Sequence, residues 1–355
     1  MLYYTLIVLL LFLIVSFGDN KFTFSVGFSM LFLLSAIRSP KVGTDTSMYV
    51  NIFKSVEAYF RDIEPGYSVL MSVTRSIEND SQFFLFITSC FIFFPVYFFI
   101  IKKSQYPLYS LLLFVLLFYY YFSLSGLRQA IATSILLLSY VSLTERKYIL
   151  WGSLVLGAAS FHTTAIMFLP ISFLLNRYPI QRSSAIVILL LSFALGWGGL
   201  IDIRKFVTIL DSTGLNLGLY IDLSKYYTYA EYSFGENVNT TNAKIFNMVP
   251  NTMVCILLIY FSDKKLANPL SFFLMGTVIT NLFVDIPIAF RIAYYFTIFQ
   301  IVAIPNTLIK SRYHIIVRSA LTVIWAAIFV FETEKKVVYH KQHPGRNDVV
   351  PYEVF

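Results

Sequence analysis

Long apolar stretches separated by short polar connections recur along almost the whole chain. A membrane-crossing helix needs about 20 apolar residues, or somewhat fewer where flanking side chains snorkel. On that measure apolar helical segments are predicted at roughly 2 to 17, 22 to 37, 82 to 101, 107 to 125, 127 to 143, 148 to 161, 163 to 175, 183 to 200, 246 to 262, 268 to 285, 287 to 309 and 317 to 331. The pattern predicts an all-α polytopic integral membrane protein with about 12 such segments. Residues 1–331 form a single transmembrane domain, interrupted by long loops at 38–81 and 201–244, and 332–355 form a polar tail. The first segment lacks a basic leader and a small-residue cleavage site, so it reads as a retained anchor rather than a signal peptide.

Composition agrees with this reading. Of 355 residues, 57% are hydrophobic, 18% aromatic and 13% charged, and the mean hydropathy is +0.71, outside the range of an ordinary soluble domain. The net charge of +8 could suggest nucleic acid in a soluble protein. Here it sorts by side of the membrane instead, and no nucleic-acid partner is expected. With alternate crossings, the connections "GDNK", "KKSQYP", "TERK", "NRYPIQR", "SDKKLAN" and "KSRYHIIVR" fall on one side, and every one carries Lys or Arg. Basic short loops are cytoplasmic. That sorting requires "YILWGSLVLGAASFHTTAIMFLPISFLL" to be two short segments that turn back near Phe161 and His162; as one crossing it would scatter the basic loops over both sides.

The opposite, extracytoplasmic side then receives the polar chemistry: loop 38–81, the "LSGLRQ" corner, loop 201–244, the "DIPIAFR" corner and the tail. The tyrosine clusters at 119 to 121 and 294 to 295 lie near this side, as an interfacial belt would. Cys90 and Cys255 lie within apolar segments and read as small buried hydrophobes. There is no 20- to 50-residue repeat, glycine-rich phosphate loop, CxxC or Asp-x-Asp pair, so no cofactor or metal is expected, and a Mg²⁺-dependent nucleotide-sugar transferase is disfavoured.

Within the polar set, Arg128 stands at the outer start of an apolar helix, where an arginine needs an anionic partner or a wet cavity. Arg291 lies six residues after Asp285 and could pair with it structurally. His162 sits where two short segments meet, beside Thr163 and Thr164, and a neutral imidazole there could take a proton. Asp45 could cap the helix that begins "TSMYVNIF", with Thr46 or Ser47 as competing caps. Downstream, Pro65 and Gly66 break the chain, and Tyr67, Leu70, Met71 and Thr74 share one face of a helix suited to lie along the membrane interface.

Taken in order, "VGTDTSMY", "EPGYSVL", "GLRQAIATSILLLS", "SFHTTAI" and "RIAYYF" resemble the EpsG-like family of Wzy-type bacterial polysaccharide polymerases, from about residue 38 to the C-terminal "VVPYEVF". The match falls on Gly43, Thr44, Asp45, Tyr49, Glu64, Gly66, Tyr67, Arg128, Gln129, His162 and Arg291, whereas loop 201–244 matches nothing that can be placed. The resemblance implies a multi-pass, GT-C-like glycosyltransferase of the bacterial cytoplasmic membrane with an extracytoplasmic active site. It would join undecaprenyl-diphosphate-linked oligosaccharide units, as donor and acceptor, alongside membrane lipid, a flippase and a chain-length regulator. The product would be capsule, exopolysaccharide or O-antigen.

For such a reaction Arg128 and Arg291, with Arg38 third, suit a diphosphate leaving group. Asp45 or His162 would act as base. Thr44, Tyr49, Glu64, Tyr67 and Gln129 would contact sugar, the tyrosines offering an apolar face and a hydroxyl. Two other classes compete: a lipid-linked oligosaccharide flippase or transporter, which should show internal repeats and midplane polar groups, and a membrane O-acyltransferase using His162 as base.

Overall fold

The computed structural model describes residues 2–55, 63–199, 245, 248–284, 287–309, 311–343 and 347–354. Within these the chain is helical, and its only β pairing consists of isolated bridges. The helices run α1 Leu2–Phe17, α2 Lys21–Ala36, α3 Thr46–Ser55, α4 Pro65–Ile77, α5 Ser81–Lys103, α6 Pro107–Leu116, α7 Tyr119–Ser125, α8 Leu127–Thr144 and α9 Tyr148–Phe161. After a 3₁₀ turn, Thr163–Met167, come α10 Phe168–Arg177, α11 Arg182–Trp197, α12 Val249–Phe261, α13 Asn268–Leu282, α14 Pro287–Thr297, α15 Gln300–Leu308 and α16 His314–Gln342. They fall into two compact units, one of residues 1–177 with 300–355 and the other of residues 178–299.

Local chemistry accounts for many of the boundaries. Asn20 begins α2 with a capping box: its side chain accepts from the backbone of Phe22 and Thr23, while Thr23 Oγ1 accepts from Asn20 N at 3.1 Å, satisfying donors that the first helical turn leaves over. The Asp19 carboxylate accepts from Leu108 N at 2.8 Å and Tyr109 N at 2.9 Å. It thereby caps α6, whose first residue, Pro107, has no N–H to satisfy. Asp80 caps α5 by accepting from Phe83 N at 2.9 Å.

Three helices are long and apolar enough to cross a membrane: Ser81–Lys103, Leu127–Thr144 and His314–Gln342. A fourth is obtained if α6 and α7, bent by 62° at their junction, are taken as one broken span. The expectation of about 12 spanning segments is therefore corrected to three or four among the described residues. The apolar segments exist as helices, but most stop short. Leu2–Ile14, Lys21–Ala36, Tyr148–Phe161, Arg182–Trp197 and Val249–Phe261 are apolar helices of 10–17 residues, at most about 26 Å long at 1.5 Å per residue, against a hydrocarbon core of about 30 Å. An apolar run read along the sequence also passes through breaks that the backbone does not ignore. Phe118, at φ +64°, separates α6 from α7, and residues 298–299 separate α14 from α15.

The chain does reverse at His162. Its extended backbone, φ −154° and ψ 111°, ends α9, and Trp151 Nε1 in α9 donates to Ser172 Oγ in α10 at 3.2 Å while the Trp151 and Phe173 rings stack at 5.9 Å. In a single straight helix positions 151 and 172 would stand about 31 Å apart. The short segments are two arms of a hairpin.

The tyrosine clusters depart from the expected belt. Tyr119, Tyr120 and Tyr121 are buried inside the first unit, and each hydroxyl has a polar partner: Gln300 Nε2 at 2.6 Å, Leu31 O at 3.1 Å and Thr333 Oγ1 at 3.1 Å. Tyr295 is likewise buried. A phenol whose hydroxyl is satisfied by protein is stable in the interior and has no need of the interface. Large apolar side chains such as Phe86, Phe94 and Phe98 of α5 lie on the outside, as a lipid-facing surface requires.

In the second unit α13 packs against α11, α12 and α14. Asn281 on α13 joins Thr252 Oγ1 at 3.1 Å and Ser192 Oγ at 3.3 Å, a polar bond set of the kind that holds helices together where the hydrophobic effect cannot. Gly196 permits this closeness: a Cβ there would lie 1.7 Å from Asn281 O. The expected outcome of Gly196→Ala is therefore a loss of roughly 1–3 kcal/mol, read as a lower melting temperature of the detergent-solubilised protein. Gly152→Ala and Gly157→Ala on α9, where nothing lies within 4 Å, are expected to leave it unchanged or slightly raised.

Candidate active site

The loop between α2 and α5 supplies most of the site. Its first turn holds Gly43 at φ +106°, a conformation that suits glycine, and a Cβ there would lie 2.1 Å from Leu124 O. Thr46 Oγ1 donates to that same carbonyl at 2.8 Å, and Thr44 N donates to Ser125 Oγ at 3.3 Å. The turn is thus pressed onto the end of α7, immediately before the corner that starts α8. Gly43 and Thr46 face inward, Thr44 is exposed and Asp45 is half-buried. The Asp45 carbonyl receives Tyr49 N at 3.1 Å as α3 begins, and its carboxylate accepts from Thr44 Oγ1 at 3.2 Å.

The charged centre lies one helix further on. Arg128, in the first turn of α8, donates from Nε to Tyr49 OH at 2.6 Å and from Nη1 to Glu64 Oε2, forming an ion pair. Its guanidinium carbon stands 5.4 Å from the Tyr49 ring centre, within cation–π reach. The Tyr67 ring meets Tyr49 edge-on at 5.1 Å. Burial raises the Tyr49 phenol above its ordinary value against the pull of Arg128, and burial raises Tyr67 well above it. Both phenols therefore keep their protons at physiological pH, and Tyr49 accepts from the guanidinium as a neutral hydroxyl.

Glycine again permits the approach on the far side. Gly66, in the first turn of α4, lies so close to α9 that a Cβ would meet Ser160 Oγ at 2.3 Å and Ser160 O at 2.8 Å. That contact brings the "EPGY" turn to the end of α9, two residues before His162. A short link, Glu145 to Lys147, joins α8 to α9, and the pair pack along their lengths, so the end of α9 returns towards the start of α8. His162 is buried, with Nδ1 2.8 Å from Thr164 Oγ1.

Gly43, Thr44, Asp45, Tyr49, Glu64, Gly66, Tyr67 and Arg128 thus form one contiguous assembly, with His162 at the helix end beside it. Gln129 is buried on α8. Arg38 occupies a different place from the one expected of a substrate contact. It is fully buried, its Nη1 donates to Ser35 O, to Ser35 Oγ at 2.9 Å and to Ser89 Oγ at 3.2 Å, and burial pushes its guanidinium below the ordinary value. Arg291 is exposed on α14 of the second unit, and Asp285 lies outside the described residues, as does loop 201–244.

The sequence did not announce that Glu64 would neutralise Arg128: the two are separated by 64 positions, a distance at which no helical spacing rule applies. Nor did it single out Leu124, Ser125 or Ser160, which act through carbonyls and hydroxyls common to any helix end. A double-mutant cycle on Arg128→Ala and Glu64→Ala, followed by thermal unfolding in detergent, is expected to show a coupling of about 1–3 kcal/mol, since both partners are only partly exposed. Gly43→Ala is expected to destabilise the protein by more than the roughly 1–2 kcal/mol that positive φ alone costs a residue with a side chain, because Leu124 O must also move.

The model of the EpsG family matches residues 21–354, covering this assembly, Arg291 and nearly all of the chain. No curated protein and no solved structure matches. The family is associated with polysaccharide-polymerase-like function. The matched range spans the residues that α3, α4, α8 and α9 bring together, on a scaffold of membrane-compatible apolar helices, and the chain is a membrane protein belonging to the EpsG family.

Proposed function

We propose that this protein is a Wzy-type polysaccharide polymerase, a GT-C-like glycosyltransferase that joins undecaprenyl-diphosphate-linked oligosaccharide repeat units on the outer face of the bacterial cytoplasmic membrane. The observation that carries this reading is the brace of Arg128 between Glu64 and Tyr49. It holds a permanent cation at the start of an apolar helix, beside a half-buried carboxylate turn and two neutral phenols.

In the reaction, a terminal hydroxyl of the acceptor unit attacks the anomeric carbon of the donor chain. The new C–O bond forms as the bond from that carbon to the diphosphate oxygen breaks, and the diphosphate leaves on its polyprenol. Arg128 stabilises the negative charge that develops on the leaving oxygen. Its Nε and Nη1 are engaged by Tyr49 and Glu64, which fix the guanidinium plane and leave Nη2 to address the diphosphate. Asp45 takes the proton of the attacking hydroxyl. Its carboxylate stands at the rim of the assembly, whereas that of Glu64 is committed to Arg128. His162, buried at the end of α9, orients the acceptor. Thr44, exposed on the turn, contacts the sugar, and Tyr49, Tyr67, Gln129 and Arg38, buried beneath it, shape and support that wall. Arg291 in the second unit is a separate contact for a lipid diphosphate. A flippase supplies the lipid-linked units, and a chain-length regulator acts on the polymer.

The test is polymer length on a gel from cells in which the chromosomal copy is replaced by variants expressed at wild-type level in the membrane. Arg128→Ala, Arg128→Lys, Asp45→Asn, Asp45→Ala, His162→Ala and Arg291→Ala are each expected to leave single repeat units on lipid. The Lys variant fails because an ammonium cannot reproduce the planar fork. Long polymer from both Asp45 variants would remove Asp45 from the mechanism. Repeat units trapped on the cytoplasmic side would replace the polymerase reading with that of a flippase.

A further inference from the structure

The C-terminal segment lies about 300 positions from the "GTDT" turn and yet holds it on both sides. Asp348 O accepts from Gly43 N at 3.1 Å, and Asn347 Nδ2 donates to Ser47 Oγ at 2.7 Å. Two consecutive residues of the C-terminal segment thus bind the residues that bracket Asp45. Further along, Val42 pairs with Asp348 and Arg38 with Val354 in isolated bridges, Ser39 N donates to Glu353 O at 2.9 Å, and Tyr352 OH donates to Leu34 O.

The segment is itself anchored. Tyr3 OH of α1 donates to Val349 O at 2.7 Å, and Val349 and Val350 are buried. The Asp348 carboxylate receives Lys336 Nζ of α16 at 2.9 and 3.1 Å and Val349 N at 2.6 Å. Asp348 therefore connects α16, one of the long apolar helices, to the turn that presents Asp45.

From this we infer that Asp348 and Asn347 are positioning residues for the glycosyl-transfer step, and that the C-terminal segment is a clasp that sets the reach of the Asp45 carboxylate. The inference rests on the polymerase reading above. A turn with glycine at positive φ has low intrinsic stiffness, so its geometry is set by what grips it. On one side the grip is Leu124 O and Ser125 Oγ of α7; on the other it is the clasp. Displacement of a reacting group by about 1 Å can lower turnover about a hundredfold, so loss of the second grip is expected to act on rate rather than on substrate affinity.

The experiment uses the full chain and has two arms. In the first, Ser47→Cys and Asn347→Cys are combined with Cys90→Ser and Cys255→Ser, and the membranes are oxidised. A disulfide between the two new cysteines, identified by mass spectrometry, is expected; absence of the bond overturns the clasp. In the second, Asp348→Ala and Lys336→Met are expected to lower the polymerisation rate roughly tenfold to a hundredfold with KM for the lipid-linked unit unchanged. The charge exchange Lys336→Asp with Asp348→Lys is expected to restore most of the rate. Full activity of Asp348→Ala alongside an inactive Asp45→Asn overturns the clasp and leaves the polymerase intact. A disulfide that forms normally in a protein whose Asp45→Asn variant polymerises fully overturns the catalytic reading instead. A rise in KM at unchanged kcat would make the segment a substrate contact and also overturn the positioning role.

Discussion

A permanently charged guanidinium at the start of an apolar helix has to be partnered, and much of the first unit is arranged around that requirement. Water solvates Arg128 only in part, so Glu64 and Tyr49 supply the remaining partners. To do so, α4 must bring Glu64 to the corner before α8, and α3 must bring Tyr49 to the same point. The close approaches at Gly43 and Gly66 follow from this, since a side chain at either position would hold the elements apart. The ion pair is therefore as much a docking contact between the α2–α5 loop and the membrane helices as it is an electrostatic device.

The same arrangement explains how a polar loop can keep a defined shape at the edge of an apolar body. Its two helices bury one face each: Tyr49, Val50 and Phe53 on α3, and Tyr67, Leu70, Met71 and Thr74 on α4. The aromatic rings of Tyr49, Tyr67, Phe53 and Phe84 meet in a chain of edge-on and stacked contacts, which ties the loop to α5. Each such pair contributes about 0.5–1.5 kcal/mol beyond its buried area. Catalytic geometry in this reading rests on packing of the loop against α5 and α8, with the C-terminal segment closing its other side.

Short helices are the second organising constraint. A 14-residue α9 followed by a reversal at His162 places a buried imidazole where the backbone is irregular. In a membrane such a break is stable only where protein or a wet cavity surrounds it. The break thus belongs beside the polar assembly, and the Gly66–Ser160 contact puts it there.

The helical class, the apolar segments and most of the candidate residues were legible in the chain itself. Hydrophobic periodicity acts over a few residues, and the α4 face of Tyr67, Leu70, Met71 and Thr74 is buried as that periodicity requires. The family motifs pointed to Asp45, Glu64, Arg128 and His162 before any contact was known. The number of membrane-length helices was not legible, because an apolar run continues through Phe118 and through residues 298–299 while the helix stops. The burial of Tyr119 to Tyr121 was not legible either, since composition cannot tell a phenol satisfied by water from one satisfied by Gln300, Leu31 or Thr333. Tertiary structure alone decided that Glu64 holds Arg128, that Arg38 lies inside and that Asp348 reaches Gly43. The first and last of these contacts join positions 64 and about 300 residues apart, and even the bond from Arg38 to Ser89 spans 51, where no local rule of spacing operates and only the packing of whole helices selects the partner.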